Sequence, residues 1–219
     1  MTISGHASSK QKYKRLGWTA AVLVLCGAMV AGTTFVSNKD QLIASDTAAE
    51  FAELNFIPIM VPAITSNAIP VTELATKYLA DPEATGAEHG RKEGEGKPYS
   101  FPVTATGTVI EGAFGEVGLE LTDMPNDMTV GIAIPPLGSS TALRDAGAEV
   151  VFGDFANQTE YQNVAIELNK VAVETVYGDL DPKSLVGKQV SVTGATTWFS
   201  KTGGDVTHLS IVPVSIEVQ

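Results

Sequence analysis

The side chains of this chain that could do chemistry are concentrated between Gly138 and Ala165. Six candidates for ligand binding stand in this stretch: Arg144, Asp145, Asp154, Asn157, Gln158 and Tyr161. Planar polar side chains that give and accept several hydrogen bonds, with aromatic faces beside them, are typical of sugar sites. One hypothesis is therefore that the polar side chains converge on a small polar ligand. Its aromatic faces would come from three residues: Phe152, Phe155 and Tyr161.

The same residues also fit a structural role. In this interpretation Arg144 and Asp154 form a partly buried ion pair that anchors a long insertion onto the rest of the fold. Asn157 or Thr159 would then only cap the helix that follows. Arg144 and Asp145 are adjacent, so on a strand they would point to opposite faces and would not pair with each other, whereas on a helical turn each could pair elsewhere. A contact surface for another protein is the third interpretation.

Catalytic, metal and cofactor chemistry finds little support in the sequence. The three histidines, His6, His89 and His208, are far apart, which argues against a metal site. The hydroxyls of residues 139–141 lack the Gly-x-Ser-x-Gly pattern of a nucleophile elbow, and no phosphate-binding glycine motif is present. We therefore expect no catalytic residues, no metal and no cofactor. An unrecognised hydrolase is kept as an alternative, which requires Ser, Asp and His side chains to converge.

Composition limits the class of protein. The chain has 219 residues, of which 44% are hydrophobic and 18% charged, as expected of a globular protein. Its net charge of −11 argues against a nucleic-acid partner, because phosphates favour a basic surface. Cys26 is the single cysteine, so no intramolecular disulfide is possible.

The N-terminus predicts the compartment. Leu16 to Val36 contains no charged residue, and at about 1.5 Å per residue it forms a helix of about 31 Å, close to the hydrocarbon thickness of a bilayer. The basic residues in 1–15 place that segment in the cytoplasm. We predict a retained signal anchor over 16–37 in the bacterial inner membrane, with the C-terminal domain in the periplasm. A cleaved signal peptide and a lipoprotein signal acylated at Cys26 are the alternatives.

The exported part divides into two regions. Residues 40–97 are predicted to form a helical region that ends in a charged, glycine-rich linker, and residues 98–219 a β domain. Helices are expected at three places: after Ser45–Asp46, over Val71–Leu79 and over Pro82–His89. Pro58 and Pro62 predict a break or kink in the first helix. The apolar run Phe56–Ile64 must be buried or face the membrane.

From Tyr99 onward, apolar residues alternate with polar ones, which is typical of half-buried strands. The elements follow in this order: strands over 99–109, 116–121 and 128–134, a helix over 161–176, and strands over 188–198 and 209–218. This is the element order of an OB-fold. The predicted fold class is mainly β with helices (α+β). It is an OB-fold-like five-stranded barrel with a helix between strands 3 and 4, preceded by a helical region and an N-terminal transmembrane helix. An immunoglobulin-like sandwich fits less well, because it has about seven strands and no long helix.

In the last strand the apolar residues switch from odd-numbered to even-numbered positions. Leu209 and Ile211 share one parity, and three later residues share the other: Val214, Ile216 and Val218. A β-bulge at Val212–Pro213 would keep both sets pointing inward.

Two segments, Thr141–Ala146 (TALRDA) and Phe152–Tyr161 (FGDFANQTEY), resemble a bacterial family of unknown function that is labelled predicted periplasmic lipoproteins. The resemblance extends over nearly the whole chain. It implies an envelope location and, because members are often encoded beside sugar ABC transporters, a link to carbohydrate uptake. It implies no catalytic residues. Leu25 stands before Cys26 where a lipoprotein signal has a small residue, which departs from the family label.

The leading hypothesis is a non-enzymatic, membrane-anchored extracytoplasmic accessory protein of a sugar ABC transport system. Its candidate partners are the inner membrane, a periplasmic sugar-binding protein or ABC permease, and a small sugar. An envelope protein-docking or assembly module is the alternative. An exposed apolar patch around Phe56–Ile64, without a polar pocket near Arg144, would favour that alternative.

Overall fold

Alternating apolar and polar residues form five strands that close into a barrel in this computed structural model, which describes residues 42–113, 115–200 and 203–219. The predicted anchor over 16–37, the basic segment 1–15 and Cys26 lie outside the described residues. The described residues belong to one compact unit.

The strands are β1 (Ile69–Pro70), β2 (Ser100–Ile110), β3 (Glu116–Glu120), β4 (Thr129–Ala133), β5 (Gln189–Thr197) and β6 (His208–Val218). The barrel order is β2–β3–β4–β6–β5, and β5 pairs with β2 to close the sheet. β4 and β6 run parallel, whereas the other barrel neighbours are antiparallel. The two-residue strand β1 adds to β2 in parallel. This connectivity is that of an OB-fold, so the predicted fold class is confirmed.

The helices are α1 (Ala48–Asn55), α2 (Val61–Asn67), α3 (Val71–Ala80), α4 (Pro82–His89), α5 (Ala142–Gly147) and α6 (Gln158–Ala172). α6 lies between the third and fourth barrel strands, as predicted, and a π-helical turn, Val173–Tyr177, extends it. The expected helices over 71–79 and 82–89 are present as α3 and α4. α1 begins later than expected, because Thr47, rather than Ser45–Asp46, accepts the capping bond from the Glu50 amide.

The α-helix is interrupted at Pro58, as expected, but by a π-helical turn and not by a break in the helical run. A π-helical turn, Phe56–Met60, joins α1 to α2, and the Val61 amide bonds to the Phe56 carbonyl five residues back. The wider turn accommodates Pro58, whose nitrogen cannot donate a hydrogen bond. The resulting run of 20 residues, 48–67, is long and apolar enough to cross a membrane. Half of the most apolar stretch of this run is buried inside the protein, so we assign the run to the core.

Two apolar cores hold the unit together. The first fills the barrel with inward side chains such as Val103, Ile132 and Leu209, and α3 adds Leu74. The second lies between the outer face of β5–β6 and four helices: α1, α2, α5 and α6. Burial of this kind contributes about 25 cal/mol for each Å² of apolar surface removed from water.

The predicted bulge in the last strand is present, but its consequence differs. Thr193 pairs with Ser215 and Gly194 pairs with Pro213, which leaves Val214 as the extra residue. Val214 faces the second core, not the barrel. Ile216 returns to the barrel core, and Val218 is 51% exposed. The later residues therefore do not all point inward.

Gly194 is the position at which the bulge constrains the sequence. A Cβ atom there would lie 2.2 Å from the Val212 carbonyl oxygen, which is backbone and cannot move aside. We expect Gly194→Ala to lower the free energy of unfolding by about 1–3 kcal/mol. Urea unfolding followed by circular dichroism measures the change. Gly153→Ala is the control, since its added Cβ meets no atom within 4 Å. Equal stability of the two variants would contradict the account of the bulge.

Candidate functional site

Arg144 lies on α5, and its side chain is only 3% exposed. Its Nε donates to Asp145 Oδ1 over 2.8 Å. Its Nη2 forms an ion pair with Glu93 Oε2 at 3.6 Å, which is longer than a hydrogen bond. The guanidinium carbon lies 4.4 Å from the centre of the Tyr161 ring, a cation–π distance. Arg144 thus joins α5, α6 and the connection between α4 and β2.

The local sequence explains this burial. α5 is rich in small residues and packs closely against the helical run that contains Met60. A Cβ atom added at Gly147 would lie only 2.5 Å from Met60 Cε. The charged connection returns toward β2 through paired backbone hydrogen bonds between Arg91 and Ser100, and it carries Glu93. A guanidinium held this deep needs carboxylates close to it.

The electrostatics of this cluster keep Tyr161 neutral. Burial raises the pKa of the Tyr161 phenol to about 12. The positive charge of Arg144 opposes the rise in pKa, whereas the carboxylates of Glu93 and Asp145 add to it. Two carboxylates therefore face one guanidinium and one neutral phenol.

The structure brings together only part of the predicted site. Arg144, Asp145 and Tyr161 meet, but the expected ion pair between Arg144 and Asp154 is wrong. The Asp154 carboxylate instead accepts from the Val151 amide over 3.1 Å. Arg144 and Asp145 lie on a helical turn and not on a strand, and there the Nε of Arg144 reaches the neighbouring carboxylate, so the two pair with each other.

The remaining polar residues of the stretch act locally. Asn157 caps α6 by accepting from the Glu160 amide over 3.0 Å, as the structural interpretation expected. Gln158 is exposed in the first turn of α6. The predicted aromatic faces pack on one another: Phe152 and Phe155 each lie 6.1 Å from the Tyr161 ring, centre to centre.

A cavity of about 460 Å³, which sequence reasoning missed, lies between α3 and the β5–β6 connection. Tyr78 and Trp198 stack in its wall with ring centres 4.2 Å apart, and Phe199 adds an aromatic surface that is 58% exposed. Ser200 and Asp205 add polar groups to the lining. We call this the aromatic cavity. Its signal in the sequence is the pair Trp198-Phe199 at a strand end, followed by a Gly-Gly-Asp turn.

Among the residues that the structure describes, His89 and His208 do not assemble the groups that a serine hydrolase needs. His208 Nε2 contacts Glu116 Oε2 at 2.6 Å, and its Nδ1 contacts Thr129 Oγ1 at 2.8 Å. His89 Nε2 lies 3.3 Å from the Lys77 ammonium. Within the described ranges, no serine is hydrogen-bonded to either ring, and no histidine lines the aromatic cavity. The same residues hold no cluster of metal-ligating side chains.

The fold and the site define an OB-fold barrel protein with a helical cover and an aromatic cavity at its side. The chain belongs to the family described as predicted periplasmic lipoprotein (DUF2291), whose model matches residues 20–217. This confirms the resemblance seen in the sequence, and we place the protein outside the cytoplasm, in association with a membrane. It is also similar to the crystal structure of an OB-fold protein from Thermotoga maritima MSB8, with a TM-score of 0.62 and 16% identity over 80% of this chain and 99% of that chain. A search of curated proteins gives no match.

We expect Arg144→Ala to destabilise the protein by about 3–5 kcal/mol, because the buried carboxylate of Asp145 loses its cation and Glu93 loses its partner. Thermal and urea unfolding measure the effect. Gln158→Ala, at an exposed position, is the control and should stay within about 0.5 kcal/mol of the unaltered chain. A loss below about 1 kcal/mol for Arg144→Ala would overturn the structural role of this cluster.

Proposed function

We propose that this protein is a non-catalytic, membrane-anchored accessory protein of a sugar ABC transport system, and that it binds a small sugar in the aromatic cavity. The family supports a periplasmic, membrane-associated protein. The observation that carries the finer proposal is the combination of stacked rings and polar groups in one cavity.

The chemistry of the aromatic cavity matches a sugar. The C–H faces of a pyranose ring pack on flat aromatic surfaces, which Trp198 and Phe199 provide. Sugar hydroxyls need hydrogen-bond acceptors, and the Asp205 carboxylate is the strongest acceptor in the lining. Stacking with Tyr78 holds Trp198 in place before a ligand arrives, which lowers the entropy cost of binding. Arg144 does not line this cavity, so we give Arg144 a structural role.

The sugar proposal is tested by titrating the full-length chain in a detergent without a sugar headgroup. The chain has two tryptophans, so Trp18→Phe makes Trp198 the only indole reporter. We expect a saturable change in Trp198 fluorescence with at least one monosaccharide. Phe199→Ala should weaken that binding roughly 3- to 10-fold, the value of one aromatic contact.

Phe152→Ala is the matched control, since Phe152 is 53% exposed and does not line the aromatic cavity. Its affinity should equal that of the Trp18→Phe background. Absence of any saturable response across the monosaccharides, or equal weakening by both phenylalanine variants, would refute sugar binding at this site.

The proposal includes a retained single-pass anchor over residues 16–37. We expect Cys26→Ser to leave the protein in the inner-membrane fraction, because the apolar segment alone is long enough to span the bilayer. The intact mass should include the N-terminal residues and no acyl group. Release of Cys26→Ser from the membrane, or an acylated mass for the unaltered protein, would show a lipoprotein anchor instead.

An envelope protein-docking module is the second candidate. Leu54 and Ile57 on the α1 run are 38% and 56% exposed, whereas most of Phe56–Ile64 is buried in the second core, so the run offers only a small part of the apolar patch that this alternative expects. The sugar titration separates the two. A chain that binds no sugar but copurifies with the cognate sugar-binding protein or permease would favour docking.

A further inference from the structure

Asp205 is the one charged residue among the described residues that line the aromatic cavity. Its carboxylate forms no ion pair or hydrogen bond with the described part of the chain. No lysine or arginine is among the described residues of that lining. The lining therefore presents a negative charge that no described cation balances. A ligand with a positive charge of its own supplies the partner, since a charge-assisted hydrogen bond is stronger than a neutral one.

The aromatic rings of the cavity favour a ligand of the same charge. An aromatic ring carries negative charge density on its face, which attracts a cation within about 6 Å of the ring centre. Phe199 is 58% exposed, so its ring is accessible to a ligand, and Trp198 stands beside it in the lining. An anionic ligand would be repelled both by the ring faces and by the Asp205 carboxylate.

The charges around the aromatic cavity act in the same direction. Burial raises the pKa of the Tyr78 phenol, and the negative charge of Glu83, next to the lining residue Pro82, adds to the rise. Lys92 opposes the rise, but its ammonium lies over the Tyr99 ring, 4.6 Å from the ring centre, and neither residue lines the cavity. The net charge of −11 on the whole chain also attracts cations.

We propose that the ligand of the aromatic cavity is an amino sugar, whose ring packs on Trp198 and Phe199 and whose ammonium group pairs with the Asp205 carboxylate. This inference rests on the proposed function, because it names the kind of sugar that the same cavity takes. A protonated amine adds an ion pair and a cation–π contact to the packing that a neutral sugar makes. A neutral sugar lacks both contacts, and an acidic sugar is repelled, so charge sets the specificity.

Three pairs of sugars test the proposal: glucose with glucosamine, galactose with galactosamine, and mannose with mannosamine. The members of a pair differ only in a hydroxyl or an amine at carbon 2. Each sugar is titrated into the full-length Trp18→Phe chain in an uncharged polyoxyethylene detergent, at about pH 6, where such amines are protonated. We expect at least one amino sugar to bind roughly 3- to 10-fold more tightly than its neutral partner. Added salt should reduce this preference, because it screens an exposed ion pair.

Asp205→Asn removes the charge and keeps a polar side chain of nearly the same size. The variant should bind the amino sugar and its neutral partner within about twofold of each other, because the ion pair is lost. Asp179→Asn is the matched control. It makes the same change in net charge at an exposed position that does not line the aromatic cavity, so it should keep the full preference for the amine.

Failure of this inference and failure of the sugar proposal give different results. Equal affinities within each pair, tighter binding of the neutral members, or a preference retained by a folded Asp205→Asn variant would overturn the amino-sugar assignment and leave sugar binding in place. No saturable response to any sugar would refute both. The paired sugars on the chain with Asp205 intact decide the matter even where Asp205→Asn fails to fold.

Discussion

β6 is apolar on both of its faces, and the rest of the structure depends on covering both. Leu209 and Ile211 enter the barrel, whereas Val212 and Val214 point outward. A barrel strand with an apolar outer face exposes surface that must be removed from water. Helices α1, α2, α5 and α6 supply that cover, so the α1 run and the stretch between β4 and β5 pack on the barrel as one unit.

The polarity of the Gly138–Ala165 stretch follows largely from this covering role. A short helix pressed against other helices leaves no room for its charged residue to reach water, so Arg144 takes its partners from its neighbour and from a distant connection. Asn157 caps the N-terminus of α6. The Asn169 side-chain amide donates hydrogen bonds to the carbonyls of Gly138 and Ser140. The polar residues that the sequence suggested as a ligand site therefore hold segments of the chain together through ion pairs and hydrogen bonds. The buried guanidinium fixes the geometry of three chain segments through charge and not through apolar area.

Local patterns predicted the elements of this fold well. Strand alternation, the spacing of α6 and the turn residues lie within single segments, and the OB-fold order follows from them. Contacts between distant segments could not be read in the same way. Glu93 pairs with Arg144 although the two residues are far apart in sequence. Val214 faces outward from the barrel because it packs in the second core. Pro58 alone did not predict the π-helical turn, because such a turn depends on how the helix packs and not only on the proline.

The aromatic cavity escaped prediction because segments far apart in sequence form it. Tyr78 lies on α3 and Trp198 directly follows β5, so the two rings meet where the pairing of β5 with β2 closes the barrel. The sequence shows the Trp198-Phe199 pair and the Gly-Gly-Asp turn, but it does not show the Tyr78 ring that stacks on Trp198. The exposed Phe199 at the strand end is therefore one part of a larger surface, whose other wall comes from a helix much earlier in the chain.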